Sequence, residues 1–328
     1  MTLFAQAPAS RSRLIWIAIW ALLAVGLAFA ASSLSWSDVL NAALRADPLW
    51  LVIALLVNLA NAPLWSMCWR CLVGRSLQAK PFGVVRVLAV VLAAIQAFSV
   101  LGGGATAFVL VTGRLGLSKM AAVSLLALDT LTTGLTKTLM VGAALAVLPG
   151  SALLRGIGAG LLAAAAVALG AFIAFSRSRE RLYKMAARRN ARVRVWIERL
   201  GDMTSHLDVV RSPARLGGAV FFMFARRMCE GLAAWCVAVA CGIPVGPEII
   251  LLAVAAIAIS TLIPGPPGHV GLYELAVVGA YQWVGIAPET ALAAALLQHA
   301  LFLVSVLAPG ALIIVLDPGF AGRKPPPA

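Results

Sequence analysis

Residues 264–274 read Pro-Gly-Pro-Pro-Gly-His-Val-Gly-Leu-Tyr-Glu, and they interrupt an apolar stretch that otherwise runs from 248 to 285. Three prolines and three glycines within eight residues cannot continue a helix. The arms on either side, 248–263 and 271–285, are apolar and only 16 and 15 residues long. As helices they would reach about 22–24 Å, short of the roughly 30 Å of a hydrocarbon core. The knot therefore falls at membrane depth. Lipid leaves exposed non-helical backbone unsatisfied at several kcal/mol per group, so such a break must be buried in protein or line a polar cavity. Broken helices of this kind carry the substrate site in many transporters.

The rest of the chain supplies the membrane context. Of 328 residues, 62% are hydrophobic and 12% charged, and apolar runs long enough to span recur along nearly the whole length. This predicts an all-α, polytopic integral membrane protein, a single membrane domain over 1–328 without a separate soluble domain. Full spans are predicted at 14–31, 48–73, 118–148, 151–175, 217–241 and 289–316. Two stretches remain, 248–285 and 82–112, the latter broken by Gly102-Gly103-Gly104. Both are read as re-entrant helical hairpins, each entering and leaving on one side. Arg11, Arg13 and the apolar run to Ala28-Phe29-Ala30 mimic a signal peptide; with so many spans to follow, a retained first helix is expected.

Charge tests this layout. With the N-terminus inside, 21 of the 26 Lys and Arg residues fall on the cytoplasmic side and 2, Arg45 and Arg155, fall outside. That asymmetry is what the positive-inside rule demands, and it puts both termini on the cytoplasmic side. It also accounts for the formal charge of +14 without a nucleic-acid partner. The scheme makes 48–148 and 217–316 each a span, a hairpin and a span, in opposite orientation, which is the plan of an inverted repeat. Between them lies a basic cytoplasmic connection, 176–216. Its segment 177–199 interleaves nine Arg and Lys with Leu182, Val193 and Trp196, a pattern suited either to a helix lying on anionic inner-leaflet lipid or to an ordinary solvated connection.

Charge inside the spans is the strongest chemical signal, because even insertion scales set roughly 2.5–3.5 kcal/mol against a central Arg, Lys or Asp. Asp129, Thr133 and Lys137 stand at i, i+4 and i+8 on one helical stripe. Arg226 and Glu230 form an i, i+4 pair with Arg227 beside them. These groups either line a substrate path or tie the bundle together as interhelical ion pairs. Glu274 opens the half-helix after the knot, is expected to cap its freed amides, and is a candidate for the substrate path as well. His269 within the knot and His299 mid-span are candidate donors to an anionic group. Gly102, Gly103 and Gly104 could present backbone amides to phosphate. The chain shows no nucleophile–base order, metal-ligand spacing or nucleotide loop, so no enzymatic activity, metal or cofactor is expected. Cys68 and Cys71, spaced as C-x-x-C, are read as buried small residues one turn apart.

The run Pro264-Gly265-Pro266-Pro267-Gly268-His269-Val270-Gly271-Leu272-Tyr273-Glu274 resembles the P-x-x-P-G-G-x-G-x-x-E signature of the flippase-like family typified by the transmembrane region of lysylphosphatidylglycerol synthases, with His269 where a second Gly is usual. Leu101-Gly102-Gly103-Gly104, the turn Gly113–Ser118 and Pro309-Gly310 extend the resemblance over nearly all of 48–316. Two departures mark a divergent subgroup, for which a hopanoid-associated branch is one candidate. The acidic residue and Arg common after the first glycines are replaced by the apolar run from Ala105 to Val111, and His299 stands where Arg is common. The chain ends within 12 residues of the last predicted span, so the soluble synthase domain is expected to be absent. The resemblance implies translocation of a lipid, anionic or lipid-linked, with Pro264, Gly265, Gly268, Gly271 and Tyr273 at the path. The alternative is a non-catalytic membrane accessory subunit of a lipid- or envelope-modifying enzyme.

Overall fold

In the computed structural model the described residues are 34–74, 77, 79–147, 152–153, 155–167, 170, 212–244, 246–261 and 266–320. The predicted span 14–31, the Ala28–Ala30 site, the basic segment 177–199 and the knot residues Pro264 and Gly265 lie outside them. Among the described residues every element is helical. The helices are α1 (Trp36–Leu44), α2 (Pro48–Leu59), α3 (Asn61–Val73), α4 (Pro81–Gly113) and α5 (Lys119–Val147). A short apolar helix α6 (Arg155–Val167) follows. The remainder are α7 (Pro213–Ala240), α8 (Pro247–Ser260), a 3₁₀ turn (Pro267–His269), α9 (Leu272–Trp283) and α10 (Pro288–Leu316). The amphipathic α1, which packs on α10, was not anticipated from the sequence.

The bundle buries polar residues and exposes apolar ones. On α2 Leu49, Val52 and Leu56 are 63, 54 and 60% exposed, while Asn58 and Asn61 nearby are 4 and 2% exposed. Water would favour the reverse arrangement; a lipid surround favours this one. Among the described residues three helical stretches are long and apolar enough to cross a membrane, Pro48–Val73, Pro81–Phe98 and Pro288–Leu316. The first of these is α2 and α3 in series. Pro63 has no N–H to give to Leu59, which interrupts the ladder there, but Ala60 keeps helical angles (φ −69°, ψ −11°) and the chain continues in line.

The two predicted hairpins are built differently. Gly102, Gly103 and Gly104 are helical and open the second arm, so the turn falls just before the glycine triplet and not within it, contrary to expectation. The segment Pro81–Gly113 is not straight. A Cβ placed on Gly103 would stand 2.7 Å from the Cα of Ile95, whereas eight residues of straight helix advance about 12 Å. The chain doubles back just before Gly103, whose missing side chain permits the approach. The result is one long arm, Pro81–Phe98, and one short arm, Gly102–Gly113. In the second hairpin α8 and α9 flank a truly non-helical knot, in which Gly268, His269 and Gly271 hold φ of 69°, 56° and 86°. The tips meet: a Cβ on Gly268 would lie 3.9 Å from the Gln96 carbonyl oxygen.

The spans preceding the hairpins run antiparallel. At one end the Asp47 amide donates to the Ala240 carbonyl at 3.0 Å; at the other, Gly218 abuts the Cys71 Sγ. Packing is reciprocal: α2–α3 lies along α7, α4 along α10, and α5 along α8. Basic residues gather at the α3–α4 end. There Arg114 donates from Nε and Nη2 to the carbonyls of Phe320 and Gly319, each at 2.6 Å. Arg86 pairs with Asp317 at 3.4 Å, and both guanidiniums stack on the Phe320 ring.

Candidate functional site

A cavity of about 360 Å³ opens where the hairpin tips meet α5, α7 and α10. Ten of the residues singled out from the sequence line it: Asp129, Thr133, Lys137, Arg226, Arg227, Glu230, Gly268, His269, Tyr273 and His299. The spacing argument brought them to the right faces. Asp129 and Lys137 lie two turns apart on α5, and Arg226 and Glu230 one turn apart on α7. Ile95 and Gln96, at the tip of the first hairpin, complete the wall.

The charges find partners both along α7, where the Arg226–Glu230 pair is present, and across helices. Asp129 and Lys137 do not pair with each other. Asp129 Oδ1 accepts from the indole N–H groups of Trp65 at 2.5 Å and Trp69 at 2.9 Å. Lys137 Nζ donates to the Thr261 hydroxyl at 2.7 Å, crossing from α5 to the end of α8. Glu230 is held more closely by Arg227, at 2.5 Å, than by Arg226, at 3.4 Å. Arg226 also donates to Asn61 Oδ1 at 2.9 Å and lies 4.2 Å over the Trp65 ring. Arg226, Arg227 and Glu230 are each under a tenth exposed, so the ion pairs are read in a low-dielectric setting where pairing is obligatory.

Glu274 does not line the cavity. Its Oε2 accepts from the Gly271 amide at 2.6 Å, the reach-back bond of a capping box. Its Oε1 lies 2.6 Å from His299 Nδ1, and His299 Nε2 lies 2.8 Å from the Gly268 carbonyl oxygen. That carbonyl can only accept, so Nε2 carries a proton. One further proton is shared between Nδ1 and the carboxyl. The pair is then either imidazolium with carboxylate or two neutral groups, and its net charge is zero in both cases. Tyr273 stacks on His299 with centroids 4.2 Å apart. This clasp ties the knot to α10. Glu274→Ala is expected to loosen it at a cost of about 1–2 kcal/mol, measured as a lowered thermal midpoint of the purified protein. An unchanged midpoint would show that the knot holds without it.

Gly102, Gly103 and Gly104 are placed at the start of the short arm and do not line the cavity, and Gly271 serves as the cap before α9. Cys68 and Cys71 are free thiols. The sequence reading missed Trp65, Trp69, Asn58, Asn61, Gln96 and Gln298. The four amides carried a usable signal, being polar residues inside apolar runs. The indoles carried none, since Trp is at home in a membrane span.

Beside the polar cavity lies a second of about 500 Å³, between the start of α3, the long arm of α4 and the end of α10. Its lining is chiefly apolar, with Leu312, Ile313 and Leu316 on one wall, and it shares Asn58 and Leu92 with the first.

The family model described as "Lysylphosphatidylglycerol synthase TM region" matches residues 15–310. No curated protein matches the chain.

Proposed function

Since the chain belongs to the family of the lysylphosphatidylglycerol synthase transmembrane region, a membrane family with a lipid-related function, we propose that it moves a lipid headgroup from one leaflet of the bacterial inner membrane to the other. The observation that carries this reading is the adjoining pair of chambers. A charged cavity at the meeting of two hairpin tips shares a wall with an apolar one, which suits an amphipathic ligand. The headgroup takes the first and the hydrocarbon chain lies along the second.

The antiparallel first spans and the reciprocal packing of α4 on α10 and α5 on α8 support an inverted repeat of 48–148 and 217–316. In such a protein the site sits on the pseudo-twofold axis, and access alternates as one repeat rocks against the other. The short second arm of the first hairpin and the two short arms of the second make both hairpins re-entrant in this reading, with the basic α3–α4 end and both termini cytoplasmic. The protein acts as a translocator and catalyses no covalent change.

The test is transfer of a fluorescent phospholipid in reconstituted vesicles, read by dithionite quenching of the outer leaflet. Wild type is expected to expose inner-leaflet probe faster than empty vesicles. Arg226→Ala is expected to reduce the rate at least about tenfold by removing the bonds to Asn61 and the stack on Trp65. Transfer no faster than in protein-free vesicles would sink the translocator reading.

A further inference from the structure

The cavity's own hydrogen-bond inventory identifies the kind of headgroup it accepts. Among the described residues four buried side-chain polar atoms have no partner, and three belong to residues lining this cavity: Arg227 Nε, His269 Nδ1 and Gln298 Oε1. Lys137 uses one of its three N–H groups on Thr261, and no carboxylate among the described residues lies within ion-pair distance of it. Lys137 therefore keeps two N–H groups for a ligand, on a cation that no carboxylate among the described residues pairs. The charges agree. Lys137, Arg226 and Arg227 face Asp129 and Glu230, while the Glu274–His299 clasp is neutral as a unit, which leaves one net positive charge.

The backbone of His269 adds an independent observation. It is the one non-glycine described residue with positive φ, 56°, a region where an L side chain is disfavoured by about 1–2 kcal/mol. Glycine would hold this turn with less strain. His269 nonetheless sets an imidazole in the cavity lining at a position where glycine would hold the backbone.

We infer that the cavity selects a net-anionic, phosphate-bearing headgroup over a cationic one, with Lys137, Arg227 and His269 as its anion-facing donors. A phosphate only accepts hydrogen bonds, and its charge neutralises the excess. Headgroup hydroxyls can donate to Gln298. An aminoacylated lipid, carrying ammonium groups, meets like charge at Lys137 and the guanidiniums. The inference rests on reading this cavity as the headgroup chamber, and its test is one of binding alone.

Purified full-length protein is titrated with dioctanoyl phosphatidylglycerol, dioctanoyl lysylphosphatidylglycerol, dioctanoyl phosphatidylcholine and glycerol 3-phosphate, with ligand-induced thermal stabilisation as readout. Phosphatidylglycerol is expected to bind at least about tenfold more tightly than the lysyl and choline lipids. Lys137→Met and His269→Gly should each weaken it about tenfold, and Lys137→Arg should retain it. His269→Gly relieves backbone strain, so a loss of affinity there cannot come from misfolding. Equal or tighter binding of the lysyl lipid, or unchanged affinity in both Lys137→Met and His269→Gly, would overturn the inference. Glycerol 3-phosphate binding as tightly as the lipid would support the anion site while removing the lipid reading of the preceding section.

Discussion

Glu230→Gln is expected to lower the stability of the folded protein by about 3–5 kcal/mol, the cost of leaving a buried charge without its counter-ion. Among the described residues Glu230 is the carboxylate within ion-pair distance of both guanidiniums on α7, at 2.5 Å to Arg227 and 3.4 Å to Arg226. All three are under a tenth exposed. Asn61 and the Trp65 ring support Arg226 further, but Arg227 has no other ion-pair partner among the described residues. The single substitution should thus be worse than removing charge on both sides. Glu230→Gln combined with Arg227→Met leaves one cation, still supported by Asn61, and is expected to recover most of the loss. The measurement is the thermal midpoint and the yield of monodisperse protein in detergent for the two singles and the double. If Glu230→Gln unfolds with the wild-type midpoint, or the double is no better than the single, the triad is not an obligatory pairing.

The parts of this site that were legible in the sequence were those where one residue type is anomalous in its own neighbourhood. Pro264–Glu274 declared itself because proline and glycine act locally, and the knot's φ values at Gly268 and Gly271 are what glycine permits. Asp129, Lys137, Arg226 and Glu230 declared themselves because charge inside an apolar run has few tolerable fates. Partner choice was not legible. Asp129 turns to Trp65 and Trp69 across 60–64 residues of sequence, and nothing along α5 reports that α3 lies against it. Proximity in sequence suggested an Arg226–Glu230 pair, but side-chain direction gave the shorter bond to Arg227. His269 and Glu274 looked alike as candidates. The structure separates them, placing the first on the cavity and the second in the clasp.

Gly103→Ala is expected to cost about 3 kcal/mol, at the upper end of overpacking penalties, while Gly104→Ala one residue on is expected to be neutral or stabilising. Composition makes these two glycines equivalent, and both were read as a break in the helix. The doubling back of Pro81–Gly113 makes them opposites. A methyl on Gly103 would collide with Ile95 Cγ1 and stand 2.7 Å from its Cα, whereas one on Gly104 finds no atom within 4 Å. At Gly104 only helix propensity remains, which favours alanine by about 1 kcal/mol. At Gly103 the side-chain clash could be relieved by trimming Ile95, but the Cα clash cannot. Ile95→Ala in the Gly103→Ala background should therefore recover only part of the loss. Because Ile95 and Gln96 form the cavity wall opposite the knot, Gly103→Ala should also slow lipid transfer, and Gly104→Ala should not. Thermal midpoints and transfer rates of the three variants decide it. Were Gly103→Ala and Gly104→Ala equally tolerated, α4 would have to be a straight rod, and the first hairpin tip would not exist to meet the second.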